Sequence, residues 1–327
     1  MGDYMKPLTV FDLVHDGLSL LEMELAAVIE SEAEIMTDIG LHLLRAGGKR
    51  LRPALYFLCA KAGTYNLTKI MPVAVAIELI HMATLVHDDV LDNASTRRSI
   101  ITANACWGNN TAVLAGDYLF AKAFSLVSNR DNNIALNLLT REICDICEGE
   151  IIQIRDNFNV DQHEKDYLVR INKKTAGFIA VSCQLGALAA GLSEADVKAL
   201  YNYGYAVGMA FQITDDILDV TASSEKLGKP AGNDLKQGIL TLPVLYALGK
   251  SSRGAELRTL ITAGDNMTED NLKRCIDIIH DTDAVEYSYQ KVAEYLASAR
   301  NSLPKSVDCK IGHALLQVAD FIGLRQY

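Results

Sequence analysis

Apolar residues recur at intervals of three and four along nearly the whole chain, which is the spacing of one helix face rather than of a strand. Leu18, Leu21 and Leu25 show this spacing within a predicted first helix over 11–46, which ends at Gly47-Gly48. No stretch alternates between apolar and polar residues long enough to predict a strand. The pattern therefore predicts an all-α protein.

The same spacing predicts further helices along the rest of the chain. They cover residues 51–61, 67–93, 111–128, 132–158, 161–174, 175–192, 193–220 and 242–249, with weaker helices toward the C-terminus. One obvious loop, rich in Ser, Gly, Lys and Asp, spans 221–238. Because no shift in composition marks a boundary, we predict one helical domain over residues 1–327.

Composition agrees with long helices. The chain has 327 residues, half of them hydrophobic, and no proline lies between Pro72 and Pro230, so helices there can run without interruption. The net charge is −10, and without a basic patch to neutralise phosphates a general nucleic-acid binder is excluded. An acidic chain is better suited to cations, or to anionic ligands carried on metal ions.

Seven cysteines, an odd number scattered along a large chain, predict reduced thiols. The N-terminus shows no secretory pattern, so we expect a cytoplasmic protein. Cys144 and Cys147 form a CxxC within a helical pattern, which favours helix packing over a redox or metal site. The uncharged segment 175–193 contains Gln184 and three glycines, so it is interpreted as a buried helix rather than a membrane span.

Two acidic motifs with the same spacing stand out. Each reads D-D-x-x-D at the C-terminal end of an apolar helix, and the second follows the first by 127 residues. Carboxylates this close repel one another, and a helix C-terminus disfavours negative charge, so each motif needs a compensating cation. The first triad is Asp88, Asp89 and Asp92, and the second triad is Asp215, Asp216 and Asp219.

Carboxylate oxygens at this spacing suit Mg²⁺, which takes one or two carboxylates, keeps water ligands and completes its octahedron with phosphate oxygens. One such motif alone would be interpreted as a solvated helix end. Two copies on apolar helices predict a metal–diphosphate site.

Cations accompany both triads. Lys49, Arg50 and Arg52 lie at a predicted helix start, where backbone amides also favour anions. Each cation alone would be ordinary surface charge, but together in an acidic protein they indicate an anionic ligand. The others are Arg97, Arg98, Lys173, Lys174 and Lys229, all in or near predicted loops.

Three further side chains share faces with the triads. His81 lies seven residues before Asp88, which leaves a structural role and a ligand contact equally open. Phe211 and Gln212 lie four and three residues before Asp215, so both are predicted to point toward the second triad.

These motifs together resemble the trans-isoprenyl diphosphate synthases, and within them the bacterial long-chain polyprenyl diphosphate synthases of the hepta- or octaprenyl type. The resemblance covers nearly the whole chain and implies a helical bundle of the isoprenoid synthase type around a central apolar cavity. It rests on G-G-K-R-L-R-P at 47–53, E-L-I-H-M-A-T-L-V-H-D-D-V-L-D at 78–92, R-R at 97–98, G-D-Y-L at 116–119, K-T-A at 174–176 and F-Q-I-T-D-D-I-L-D at 211–219.

The resemblance implies roles for matching positions. Both triads match the family's metal-binding motifs, which hold two or three Mg²⁺ ions on the allylic diphosphate. The isopentenyl diphosphate pocket matches Lys49, Arg52, His81 and Arg98. Contacts to the allylic diphosphate match Arg97, Lys174, Thr175, Gln212 and Lys229. The chain departs from the family at Ile239, where the family often has lysine. Lys236 is a candidate to replace that lysine.

The implied reaction is ionisation of the allylic diphosphate, attack by the double bond of isopentenyl diphosphate, and loss of a proton, with water excluded. Ala83 and Thr84 lie one turn before Asp88, where short-chain members place bulky aromatics. These small residues predict a product of about C30–C40, with quinone side chains as its expected use. A shorter geranylgeranyl or farnesyl product is the alternative.

Two other classes remain open. A class I terpene cyclase also ionises an allylic diphosphate, but Lys49, Arg52 and the second complete D-D-x-x-D favour condensation. A subunit of a heteromeric synthase is the other possibility. The resemblance implies a homodimer, a small accessory subunit remains open, and we expect at most peripheral contact with membranes and none with nucleic acid.

Overall fold

The computed structural model describes residues 9–98, 100–128, 133–221 and 232–324. Within these ranges the chain is almost entirely helical, so the predicted all-α class is confirmed. A 3₁₀ turn precedes the first helix, and a second follows α13. In chain order the helices are α1 His15–Val28, α2 Glu34–Arg45, α3 Leu51–Ala60, α4 Leu67–Leu91, α5 Ala103–Trp107, α6 Asn109–Ser128, α7 Asn133–Asp156, α8 Glu164–Ile171, α9 Gly177–Ala189, α10 Glu194–Thr221, α11 Asn233–Lys236, α12 Leu242–Lys250, α13 Gly254–Ile261, α14 Glu269–His280, α15 Ala284–Ser302 and α16 Cys309–Gly323.

The chain divides into two compact units. The first comprises Met1–Ile143, Val181–Lys198 and Lys305–Leu315, and the second comprises Cys144–Ala180, Ala199–Pro304 and Leu316–Tyr327. Each unit is assembled from several separate segments. The single domain predicted over residues 1–327 stays a prediction.

Three details differ from the predicted elements. The first predicted helix, 11–46, is interrupted between α1 and α2, where the Ser31 amide donates to the Thr37 hydroxyl at 3.0 Å and closes a turn. A two-residue antiparallel ladder, β1 Thr96–Arg97 with β2 Ile100–Ile101, follows α4. The boundary predicted between residues 174 and 175 is instead a turn of π-helix, Asn172–Ala176.

Helix α4 forms the centre of the first unit. Its N-terminus is capped by Asn66, whose side chain accepts a hydrogen bond from the Lys69 amide. It packs along α6, which presents small residues, and a Cβ added to Gly116 would collide with His87. Among the described helices only α4 is long and apolar enough to cross a membrane, and 72% of that stretch is buried, as in the core helix of a globular unit.

Helix α3 is almost completely buried against α9 in the same unit. A Cβ on Gly186 would collide with the Tyr56 carbonyl oxygen and lie 2.8 Å from Cys59 Cβ, so glycine is required for this approach. Tyr56 donates its hydroxyl to the Ile70 carbonyl at 3.0 Å, which satisfies its one buried polar atom. The first triad is therefore carried at the end of a tightly packed set of helices.

The second unit has its own core of buried apolar side chains around α12, α13 and α14. It includes Val220 at the end of α10, next to the second triad, Leu235 within α11, and Leu240 after α11. Because these residues anchor both ends of the segment joining α10 to α12, the second triad ends a helix whose surroundings are fixed by packing.

Candidate active site

The first triad lies at the C-terminal end of α4 with graded exposure. Asp89 is buried, Asp88 is partly buried, and Asp92 is exposed just beyond the helix. Arg97 Nε donates to Asp89 Oδ1 at 2.7 Å, so the buried carboxylate is neutralised by a cation from β1. Asn104 donates to the carbonyl oxygens of Asp89 and Ala94, which fixes the turn after the triad.

The three cations predicted at the start of α3 have different roles. Arg50 is in the left-handed region (φ 46°) and donates to Glu22 Oε1 and Glu78 Oε1, both at 2.6 Å. The charge of Arg50 is therefore paired with two glutamates that hold the turn before α3. Lys49, in contrast, is exposed. Burial raises the pKa of Glu78 despite the adjacent Arg50, so this glutamate depends on its arginine partner.

Arg52 lies against His81. Arg52 Nη1 is 3.3 Å from His81 Nε2. Burial, followed by the positive charges of Arg52 and Arg98, lowers the pKa of His81 well below its ordinary value, so the imidazole is neutral and accepts from the guanidinium. The structure thus brings together two residues that the resemblance assigned to one diphosphate pocket.

Arg98 closes this region. Its Nη1 donates to the Gly47 carbonyl oxygen, so the loop after the first triad contacts the turn before α3. Burial and the neighbouring Arg97 lower the pKa of Arg98, and burial lowers the pKa of Arg52. Arg52 and Arg98 thus place positive charge near the first triad, and a bound polyanion would offset that charge.

The second triad is more deeply buried. Asp216 is 3% exposed, and each of its carboxylate oxygens already accepts a hydrogen bond, from Tyr167 Oη at 2.7 Å and from Gln212 Nε2 at 2.8 Å. Asp219 accepts from the backbone amides of Asn233 and Asp234 at the start of α11. Asp215 is partly buried at the same helix end.

These surroundings penalise the ionised carboxylates. Burial, then the negative charge of Asp234, raises the pKa of Asp216 to about 7 and that of Asp219 to about 8. Burial, then the charge of Asp216, raises the pKa of Tyr167 far above its ordinary value, so its phenol remains a donor. A divalent cation would offset this accumulation of negative charge, so the donor set fits one.

The fit is incomplete without other ligands. In the part of the chain that the structure describes, no group of three or more His, Cys, Asp or Glu side chains converges on one metal position. A hard cation held by one or two carboxylates completes its shell with water and phosphate oxygens. The triads therefore suit Mg²⁺ that arrives with a diphosphate rather than a preformed protein cage.

Lys174 and Thr175 lie in the π-helical turn Asn172–Ala176, and such turns recur at functional sites. Lys174 Nζ is 2.5 Å from Glu150 Oε2 and donates to Gln153 Oε1 at 2.9 Å. Thr175 Oγ1 donates to Gln212 Oε1 at 2.8 Å, and Gln212 in turn donates its side-chain amide to Asp216. The predicted residues Thr175, Gln212 and Asp216 are thus brought into one hydrogen-bonded chain.

Several predicted positions remain untested. Lys229 lies outside the described residues. Ala83 is fully buried within α4, and Thr84 donates its hydroxyl to the His81 carbonyl at 2.8 Å. Lys236 Nζ lies 2.7 Å from Glu269 Oε1 on the surface, so the structure pairs this cation with α14 rather than using it to replace a lysine at position 239.

The sequence reasoning did not single out four residues that contact the predicted ones. Their partners lie at least 21 residues away along the chain, so periodicity could not find them. The four are Glu78, Glu150, Gln153 and Tyr167.

Comparison with known proteins decides the family. A family model described as polyprenyl synthetase matches residues 33–279, which include both triads. The chain belongs to the polyprenyl synthetase family. The predicted resemblance to prenyl diphosphate synthases is therefore confirmed.

Relatives of this polyprenyl synthetase match over their full length. The chain is 45% identical to heptaprenyl diphosphate synthase component 2 of Geobacillus stearothermophilus, covering 99% of this chain and 100% of the relative. A heptaprenyl diphosphate synthase from Staphylococcus aureus superposes with a TM-score of 0.89 at 36% identity, covering 96% and 99%. A polyprenyl synthase from Caulobacter crescentus, complexed with calcium and isoprenyl diphosphate, superposes with a TM-score of 0.90 at 34% identity, covering 97% of each chain.

The polyprenyl synthetase has the helical isoprenoid synthase fold and is a prenyltransferase, a trans-prenyl diphosphate synthase of isoprenoid biosynthesis. The substrates of this family are allylic diphosphates and isopentenyl diphosphate.

Proposed function

We propose that this enzyme is an Mg²⁺-dependent synthase that adds isopentenyl diphosphate units, head to tail and in trans, to an allylic diphosphate. Its product is a polyprenyl diphosphate of about C30–C40, with quinone side chains as its use. The observation that carries the proposal is that both triads combine partly or fully buried carboxylates with nearby cations or hydrogen-bond donors. The calcium and isoprenyl diphosphate bound to the Caulobacter relative support the metal–diphosphate chemistry.

The first unit supplies the pocket for isopentenyl diphosphate. Arg52 and Arg98 bind the diphosphate with Lys49, and neutral His81 orients Arg52. This substrate must stay intact, so the groups that hold it are guanidinium and ammonium cations rather than a nucleophile or a general acid. Burial lowers the pKa of both arginines, and a bound diphosphate would offset their positive charges.

In the second unit, Lys174, Thr175 and Gln212 contact the allylic diphosphate, and Lys229, which lies outside the described residues, is expected to join them. When bound, Mg²⁺ supplies the charge neutralisation that lets the diphosphate leave. The allylic C–O bond breaks and its electron pair departs with the diphosphate. The double bond of isopentenyl diphosphate forms the new C–C bond, and the diphosphate accepts the proton lost from the adjacent carbon. Apolar helices exclude water from the cation.

The decisive assay supplies purified protein with farnesyl diphosphate, isopentenyl diphosphate and Mg²⁺ and measures product length. We expect chains of about C30–C40, and a farnesyl or geranylgeranyl end product would refute the long-chain assignment. Ala83→Phe should shorten the product; because Ala83 is fully buried, the variant must first be shown to be folded by circular dichroism. An unshortened product from a folded variant would remove Ala83 from the chain-length role.

A class I terpene cyclase makes a different prediction in the same assay. Such an enzyme would convert the allylic diphosphate without taking up labelled isopentenyl diphosphate. Incorporation of one label for each added C5 unit identifies condensation. Release of an unlabelled cyclic product would favour the cyclase.

A partner subunit is the second proposal. The relatives from Geobacillus stearothermophilus and Bacillus subtilis, at 45% and 42% identity, are each named as component 2 of a heptaprenyl diphosphate synthase. We infer that this chain is the catalytic subunit of a cytoplasmic synthase that requires a small accessory subunit for its full rate, with a homodimer as the alternative and at most peripheral contact with membranes. Full activity of the isolated chain, with a dimeric mass in light scattering, would favour the homodimer.

A further inference from the structure

Tyr167 of α8 makes a contact that the proposed chemistry does not yet use. Its side chain is 0% exposed, and its hydroxyl donates to Asp216 Oδ2 at 2.7 Å. The other oxygen of that carboxylate accepts from Gln212, which in turn accepts from Thr175. Each carboxylate oxygen of Asp216 therefore accepts a hydrogen bond from a neutral donor of the second unit.

The ring of Tyr167 is itself held in place. The Arg170 guanidinium lies 5.7 Å from the ring centroid, one turn further along α8. Arg170 donates to the Leu240 carbonyl at 2.6 Å and to Gln162 Oε1 at 2.8 Å, both in buried surroundings. These bonds fix the guanidinium and leave the phenol little freedom to turn away from Asp216.

A rigid donor on a metal-binding carboxylate controls its plane. A carboxylate on a two-bond side chain rotates freely unless its oxygens are held, and each free rotation must be frozen when a cation binds. Oxygens that accept one bond each keep a second lone pair for a cation. Residues that hold a metal-binding side chain in this way commonly tune the affinity for the metal, and their loss typically costs about tenfold to a hundredfold.

We propose that Tyr167 is a positioning residue that holds the Asp216 carboxylate in the orientation required by a divalent cation at the second triad. This inference rests on the proposed function of that triad as a metal–diphosphate site. Tyr167 touches neither substrate in this assignment and acts through Asp216. If Tyr167 had only a structural role, its hydroxyl would do no more than satisfy the buried Asp216 Oδ2.

The test compares Tyr167→Phe with Tyr56→Phe. Tyr56 is the matched control, because it too is 0% exposed and donates its hydroxyl to a single acceptor, the Ile70 carbonyl of the first unit. Mn²⁺ alone is titrated against each protein and free metal is read by electron paramagnetic resonance, with Asp88→Ala as the background that silences the first triad. We expect affinity to fall roughly tenfold to a hundredfold in Tyr167→Phe and to be unchanged in Tyr56→Phe.

A double-mutant cycle separates positioning from general support. In an Asp216→Asn background, Tyr167→Phe should cause no further loss of Mn²⁺ affinity, because the carboxylate it orients is gone. An equal further loss would overturn the proposal, as would unchanged affinity in the single variant. A Tyr167→Phe protein that does not fold would show that the phenol serves the fold, which also overturns it.

Activity keeps the two proposals distinguishable. If wild-type protein does not condense isopentenyl and farnesyl diphosphates, the proposed function fails regardless of Tyr167. If wild type condenses them and Tyr167→Phe needs no more Mg²⁺ for its half-maximal rate, only the positioning inference fails. The expected result is a shift of that Mg²⁺ requirement by the same factor as the Mn²⁺ affinity.

Discussion

The two triads have the same D-D-x-x-D spacing at the end of an apolar helix, yet they are stabilised in different ways. In the first, the buried member Asp89 is paired with Arg97. In the second, Asp216 is surrounded by the neutral donors Tyr167 and Gln212, with a further carboxylate, Asp234, nearby. Identical spacing thus yields one motif whose buried member is paired with an arginine and another whose buried member, among the described residues, accepts hydrogen bonds from neutral donors.

The difference has a physical consequence. An ion pair offsets the cost of burying a carboxylate, whereas neutral hydrogen bonds offset only part of it. We therefore expect a bound cation to stabilise the second triad more than the first, whose buried member already contacts an arginine.

The largest expected effect is on turnover. Asp88→Ala and Asp215→Ala should each reduce kcat by about a hundredfold to a thousandfold, because each removes charge that would hold metal on the diphosphate. Circular dichroism should show unchanged helicity. Near-normal turnover in either variant would refute the metal-binding role of that triad.

Stability in the absence of metal should distinguish the triads by pH. The folded state keeps the Asp216 proton up to a pKa of about 7, whereas the unfolded chain releases it near 3.8, so the free energy of unfolding falls as pH rises between these values. Asp216→Asn should reduce that slope, to which Asp219 with its pKa of about 8 also contributes, and should stabilise the metal-free protein at neutral pH by about 2–4 kcal/mol.

Urea unfolding in chelator at several pH values measures this effect. Asp89→Asn is the control, because it breaks an existing ion pair and should destabilise rather than stabilise. A stabilised Asp89→Asn or an Asp216→Asn protein with an unaltered pH slope would show that the two triads are not different in this respect.

Removing the cation of the first triad should have a smaller effect. Arg97→Gln leaves the buried Asp89 without its charge partner and should destabilise the protein by about 1–3 kcal/mol, with a higher KM for the allylic diphosphate. Thermal unfolding and initial rates measure the two effects. Unchanged stability would show that water or Asn104 compensates for the lost guanidinium.

The smallest effect is expected at Lys236, beyond the second triad. Its ammonium pairs with Glu269 on the exposed surface, so Lys236→Ala should leave both melting temperature and turnover close to wild type. A clear rise in KM for the allylic diphosphate would instead show that Lys236 leaves Glu269 and takes the place of a lysine at position 239.

Local pattern was sufficient for much of the fold. The apolar spacing correctly predicted helices over 51–61 and 67–93, observed as Leu51–Ala60 and Leu67–Leu91, because amphipathic periodicity is a property of consecutive residues. It also placed the first triad at a helix end. The break between α1 and α2 was missed because it depends on one hydrogen bond, from the Ser31 amide to the Thr37 hydroxyl.

Long-range contacts account for what the sequence could not predict at the site. Tyr167 meets Asp216 at a sequence separation of 49, and Arg50 meets Glu22 and Glu78 at a separation of 28 in either direction. Periodicity treated Arg50 as one more anion-binding cation. Only tertiary packing shows that its charge is already used by two glutamates.

The π-helical turn Asn172–Ala176 makes the enzyme sensitive to the insertion or deletion of a single residue in its polypeptide. Lys174 reaches Glu150 and Gln153 while its neighbour Thr175 reaches Gln212 on α10, and a Cβ on Gly208 would lie 2.6 Å from Ala176 Cα, so the turn has no room to shift. An ordinary helix turns about 100° for each residue. Deleting one residue here would convert the turn to regular helix and rotate α8 by that angle, so that Tyr167 would no longer face Asp216.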